Sequence, residues 1–113
     1  MSHVKIRYYT TRAGSSPVEE FIMSLPESTR LEVFDAISLL DSGKTLGMPL
    51  SKNLSSVRPG LHELRLRDKG GQVRVIYFLK KQVAIYFIHG FRKKTREIPR
   101  KELAVIIRRL KEI

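Results

Sequence analysis

The chain has 113 residues, no cysteine, and 22 Lys+Arg against 11 Asp+Glu, a formal charge of +11. That length predicts one domain spanning residues 1–113, and 42% hydrophobic content is enough for a core without staples, while the lack of cysteine excludes a disulfide framework and thiol catalysis and fits a reducing compartment. The opening "MSHVKIRYYT" has no apolar signal region and no run of about 18 apolar residues occurs, so neither secretion nor membrane spanning is expected and a cytoplasmic location is.

In chain order, "HVKIRYYT" (residues 3–10) alternates Val4, Ile6, Tyr8 with Lys5, Arg7, Tyr9, the period of a half-buried strand. "SSPVEEFIMSL" then predicts a helix with Ser16 as N-cap, Pro17 at its first position and Val18, Phe21, Ile22, Leu25 on one face. Pro26 stops it and opens a second helix, whose apolar positions are Val33, Phe34, Ile37 and Leu40 and whose C-terminus is marked by Gly43. Residues 44–60, rich in Gly, Pro, Ser and Asn, read as a loop. Three strands follow as a meander: "LHELRLR", then "VRVIYFL" beyond a turn at Asp68–Gly71, then "QVAIYFIHG" beyond a turn at Lys80-Lys81. Pro99 starts a last helix with Leu103, Ile106, Ile107 and Leu110 on its apolar face. The order β-α-α-β-β-β-α predicts an α+β fold, two helices on one face of a mostly antiparallel four-stranded sheet with the last helix closing the domain.

The charge is unevenly placed. Residues 1–57 hold six basic and six acidic side chains, and residues 58–101 hold thirteen basic and three acidic. A cationic surface of that kind fits nucleic acid, because each neutralised phosphate releases condensed counterions. An anionic membrane fits less well, since the charge does not lie along one amphipathic helix. The aromatic residues Tyr77, Phe78, Tyr86 and Phe87 could stack on bases but sit in central strands, where core packing is the expectation.

Period 2 in "LHELRLR" puts Glu63, Arg65 and Arg67 on one face and His62, Leu64 and Leu66 on the other. Arg74 shares a face with Ile76 and Phe78 on the next strand. Two strand-borne arginines near Lys93 and Lys94 would form a compact cationic pocket. The competing expectation is that Arg65 and Arg74 pair with helix acids such as Glu19 or Asp35. Metal chemistry is not expected, because His3, His62 and His89 lack ligand spacing. Gly70-Gly71 joins two strands and is a hairpin turn, not a phosphate cradle.

The stretches "GLHELR", "RVIY" and "HGFRKKT…P", in that order over residues 58–103, resemble the RelE/ParE toxin superfamily, in its HigB-like, phage-derived branch. The resemblance implies a toxin of a type II toxin–antitoxin pair, held in check by a helix-turn-helix antitoxin and acting as an endoribonuclease on mRNA at the ribosome. The implied chemistry is attack of an RNA 2′-OH on the adjacent phosphate, without metal or cofactor. Arg74 matches the phosphate-stabilising arginine, Arg65 a basic position on the preceding strand, and Lys93 the basic residue after the last strand. Arg58, Arg67, Arg92, Lys94 and Arg96 are the accompanying RNA-binding candidates. The sequence departs from the pattern at Glu63, where some RelE members carry lysine, and at Pro99 in place of a tyrosine. Glu63 as base and His62 or His89 as acid are the candidates that remain for proton transfer. A ParE-like gyrase inhibitor and a non-catalytic nucleic-acid-binding protein are the alternatives.

Overall fold

The computed structural model describes residues 4–81 and 84–113. Its elements run β1 (Lys5–Tyr8), α1 (Pro17–Met23), α2 (Glu27–Asp41), β2 (Ser51–Asn53), β3 (Leu61–Asp68), β4 (Gly71–Lys80), β5 (Ala84–Lys93) and α3 (Arg100–Leu110). The α+β class is as expected, but the sheet has five strands in the order β1-β5-β4-β3-β2, with β1 parallel to β5 and the other pairs antiparallel. The additional strand, β2, lies inside the stretch read as a loop. Three residues among Gly, Pro and Ser carry no periodicity, and β2 exists because its backbone pairs with β3 and its Ser51 hydroxyl meets the Tyr77 hydroxyl at 2.6 Å inside the core. Of the expected elements, His3 at the start of the first strand and Gln82 and Val83 in the last lie outside the described residues.

Each face of the sheet has its own core. Val18, Ile22 and Leu25 of the α1 region and Val33, Ala36, Ile37 and Leu40 of α2 pack on Leu64, Leu66, Val75, Tyr77 and Phe87. On the opposite face Ile106 and Leu110 of α3 pack on Ile76, Phe78, Ile88 and Phe91. Three helix assignments change in detail. Phe34 is exposed and Ala36 takes the buried place, because the face of α2 against the sheet is centred between Val33 and Ile37. Ile107 is likewise exposed on α3. Ser16 flanks α1 but makes no side-chain cap; its hydroxyl is buried without a partner. Gly43 does close α2: at φ +89° it lets its own amide donate to the Leu40 carbonyl and the Lys44 amide to that of Leu39, both at 3.0 Å.

The last helix is tied to the sheet by polar contacts as well as by apolar ones. Arg109 lies over the Tyr9 ring at 4.8 Å and donates to the Ile88 carbonyl at 2.8 Å, while the Tyr9 hydroxyl donates to Glu112 at 3.0 Å. These contacts hold α3 over one end of its face and leave the other end, toward the β3–β4 hairpin, uncovered by helix. α1 approaches the sheet most closely at Gly90, where a Cβ would stand 2.3 Å from a ring carbon of Phe21. We expect Gly90→Ala to lower stability by about 1–3 kcal/mol, the range for overpacking, and Phe21→Leu in that background to recover part of the loss in a chemical denaturation series. Equal stability of Gly90→Ala and the parent chain would show that α1 does not pack this tightly on β5.

Candidate active site

The uncovered end of the α3 face is built from alternating residues of four strands. Glu63, Arg65 and Arg67 point to it from β3, as their spacing requires, and Gln72 and Arg74 from β4, with Arg65 paired opposite Arg74 and Arg67 opposite Gln72. Lys52 of β2 stands opposite Glu63. Lys93 of β5 stands opposite Gln72. Its place there depends on a β-bulge: β5 carries one residue more than β4 between the pairs Tyr77–Phe87 and Ile76–His89. Ile88 and His89 therefore both belong to the α3 side, and the alternation beyond them is reversed. Lys93 joins the cluster and Arg92 is turned to the helix-covered face.

Glu63 is the carboxylate at the centre of this cluster. It is 1% exposed, with Arg74 and Lys93 at 4% and 5%. Its Oε1 lies 3.7 Å from Nε of Arg65 and 3.8 Å from Nε of Arg74, while Oε2 has no partner. Both guanidinium groups therefore pair with a strand neighbour, and the expected partners Glu19 and Asp35 are not used. Arg74 is further fixed by Nη1 donating to the Val73 and Leu66 carbonyls at 3.0 and 3.2 Å and by Nη2 donating to Oε1 of Gln72 at 2.6 Å. An arginine held at four points has little rotamer freedom left to lose when an anion arrives.

The electrostatics follow from one carboxylate serving two enclosed cations, Arg74 and Lys93, and the partly exposed Arg65. Burial lowers the pKa of Arg74, Glu63 opposes that, and Arg65 and Arg67 add to the lowering. Burial is also the main cause of a lowered Lys93 pKa; Glu63 pulls it up, and Arg74, Arg65 and Lys52 push it down. A buried lysine with a lowered pKa gives up its proton more readily than a solvated one. Two hollows flank the cluster. A pocket of about 380 Å³ lies toward α3, lined by Lys52, Glu63, Lys93 and aliphatic side chains. A shallower trough of about 530 Å³ lies toward α2, with Glu32, Arg65, Arg67, Gln72 and Arg74 around it.

The other sequence-predicted residues are not brought to this cluster. His62 projects from the opposite face of β3, stacked on Tyr77 with ring centroids 5.2 Å apart, so it has no path to a group bound at Arg74. His89 is on the correct face but occupied: its Nε2 is 2.9 Å from Glu102 and its Nδ1 accepts from Arg109 at 3.2 Å. Burial lowers its pKa, with Glu102 opposing. Arg92 makes a two-point ion pair with Asp68, at 2.6 and 2.9 Å, on the helix-covered face. That pairing holds the Asp68 carboxyl below its ordinary range. Arg58 lies over the Phe78 ring at 5.2 Å. Lys94 and Arg96 are exposed in the connection to α3, and Arg96 reaches the rim of the 380 Å³ pocket. Tyr77, Phe78 and Phe87 are core residues, as expected. Two site residues were missed. Lys52 lay in the presumed loop, and Gln72 had no signal beyond its place at the mouth of a hairpin.

Among the described residues no group of His, Asp or Glu could hold a metal, and no helix is long and apolar enough to cross a membrane. Residues 20–111 match a family model described as Phage derived protein Gp49-like (DUF891). A comparison with curated proteins finds no match.

Because Glu63 neutralises groups that are themselves enclosed, Glu63→Gln should cost about 3–5 kcal/mol, the range for breaking a buried pair. Sulfate should restore more of the lost thermal stability than chloride at equal ionic strength, by supplying the missing anion. A variant as stable as the parent chain would mean that solvent already screens the three cations.

Proposed function

The chain belongs to the phage-derived Gp49-like family, and on that premise we propose that it is the toxin of a type II toxin–antitoxin pair, an endoribonuclease that cleaves mRNA on the ribosome. The family is toxin-like and related to RelE and HigB. The observation that carries the nuclease reading is the convergence of Arg65, Arg74 and Lys93 around the single carboxylate of Glu63 at the open end of the sheet. A surface that only had to be soluble would spread those cations into water.

The reaction is an internal transesterification. The 2′-oxygen bonds to phosphorus, the bond from phosphorus to the 5′-oxygen breaks, the leaving 5′-oxygen takes a proton from solvent water, and the products are a 2′,3′-cyclic phosphate and a 5′-OH. In the transition state the phosphoryl oxygens gain negative charge, and Arg74 and Arg65 are the fixed donors that meet it. Lys93, with its pKa lowered, is the base that accepts the 2′-OH proton in its neutral form. Glu63 is enclosed beneath the guanidinium groups and acts as their anchor, a role that differs from the base expected of it. Lys52 and Arg67, on either side, hold flanking phosphates. The antitoxin, of helix-turn-helix type, neutralises the toxin by binding it.

Expression in a bacterial host with primer extension on a reporter mRNA tests this reading. Wild type should arrest growth and create new 5′ ends inside the reading frame that vanish when translation is blocked. Arg65→Ala/Arg74→Ala combined with Glu63→Gln, which removes the carboxylate that the double substitution would strand, should abolish both. Growth arrest with intact mRNA would move the function to gyrase or another target, and no arrest at all would leave a nucleic-acid-binding protein. Lys93→Arg keeps the charge but fixes the proton, and should lower the single-turnover cleavage rate by about 10²–10⁴ with RNA binding little changed. In the parent chain, the rate should rise with pH as Lys93 deprotonates and level off below the ordinary lysine pKa. A flat pH profile with an active Lys93→Arg variant would remove Lys93 from proton transfer.

A further inference from the structure

The 380 Å³ pocket beside Lys93 has a lining that phosphate binding does not require. Leu54 and Val57 come from the β2–β3 connection, Ile98 from the β5–α3 connection and Leu103 from α3, so four aliphatic side chains wall a pocket floored by charged residues. An oxyanion gains nothing from such walls, whereas a flat heteroaromatic ring gains burial of both faces. Glu63 and Lys93 belong both to this pocket and to the cation cluster, so a ring held here is directly joined to a phosphate held there.

Two carboxylates line the pocket. Oε2 of Glu63 is buried with no hydrogen-bond donor, and Glu97 stands near Ile98. A buried acceptor left without a donor is costly, and a ligand N–H satisfies it. Adenine, cytosine and guanine each carry an exocyclic amine that can donate to a carboxylate. Uracil has no exocyclic amine; its one edge donor, N3–H, is flanked by two carbonyl oxygens that would crowd the carboxylates as like partners. Lys52 and Arg96 supply the complementary donors for ring acceptors.

We propose that this pocket is a nucleobase subsite which seats the base adjoining the scissile phosphate between Leu54, Val57, Ile98 and Leu103, and which selects amine-bearing bases over uracil through Glu63 and Glu97. The proposal rests on the ribonuclease reading of the neighbouring cations, and its test separates the two.

The test measures equilibrium binding of 3′-AMP, 3′-CMP, 3′-GMP, 3′-UMP and inorganic phosphate by titration calorimetry to the parent chain, to Val57→Trp, which fills the slot from an already exposed position, and to Glu97→Gln. The amine-bearing nucleotides should bind at least about tenfold more tightly than inorganic phosphate or 3′-UMP, a gap within the range for one good base contact. Val57→Trp should bring them down to the level of inorganic phosphate while leaving phosphate binding unchanged. Glu97→Gln should narrow the gap between 3′-UMP and the others. Nucleotides that bind no better than phosphate, or an advantage that survives Val57→Trp, would overturn the subsite. Equal binding of 3′-UMP and the other nucleotides would overturn the selection. Nucleotide selectivity as stated with no mRNA cleavage in the host would uphold the subsite and remove the nuclease reading. Cleavage in the host together with no nucleotide advantage over phosphate would do the reverse.

Discussion

One extra residue in β5 decides what the cationic face is. Strands alternate sides strictly, so the consecutive residues Arg92 and Lys93 must go to opposite faces, and the bulge at Ile88 determines which goes where. With it, Lys93 stands over Glu63 and Arg92 closes on Asp68 behind the sheet. Without it, a guanidinium incapable of losing its proton would sit where a lysine with a lowered pKa now sits. The same slip keeps Gly90 under Phe21, the one place where α1 needs a position without a side chain. Site chemistry and helix packing are thus set by a single register event, which is why bulges beside functional sites behave as features of the fold and not as defects.

Given that register, the cluster survives because Glu63 sits within it. Two enclosed cations and the partly exposed Arg65 on adjacent strands repel one another, and a carboxylate with almost no exposure offsets part of that repulsion. The compensation is incomplete: one carboxylate oxygen and the Nε atoms of both arginines lack hydrogen bonds. The arginine Nε atoms lack an acceptor and the Glu63 oxygen lacks a donor, so no single anion satisfies all three. The cluster therefore keeps unmet hydrogen-bonding capacity inside the fold, at a cost to stability of the kind that prepared sites carry.

Much of this was legible from the residues, and the exceptions have particular causes. Period 2 puts Glu63, Arg65 and Arg67 on one face of β3 and Arg74 on the face of Ile76 and Phe78 in β4, and the pairing of the two strands then sets Arg74 opposite Arg65. The same rule puts His62 on the far face, against Tyr77, so its nearness in sequence to Glu63 does not bring it to the cluster. Lys93 and Arg92 could not be sorted, since a bulge leaves no mark in a run of β-branched and aromatic residues. β2 was invisible for another reason: three residues held by pairing with β3 and by Ser51 against Tyr77 need no propensity of their own. On α2, Phe34 and Ala36 both fall within a 3.6-residue face, and only the tilt of the helix on the sheet chooses the smaller side chain for the core.

The six acidic residues of the first half all belong to α1 and α2, which cover the face opposite the cation cluster. The molecule's charge is consequently uneven in space as well as net positive. A polyanion's field would turn it during approach, pointing the open end of the α3 face forward and the helices away, so that many encounters begin already oriented. Added salt would remove that torque before it removed the contacts themselves, leaving the arrival of the protein more sensitive to ionic strength than its release.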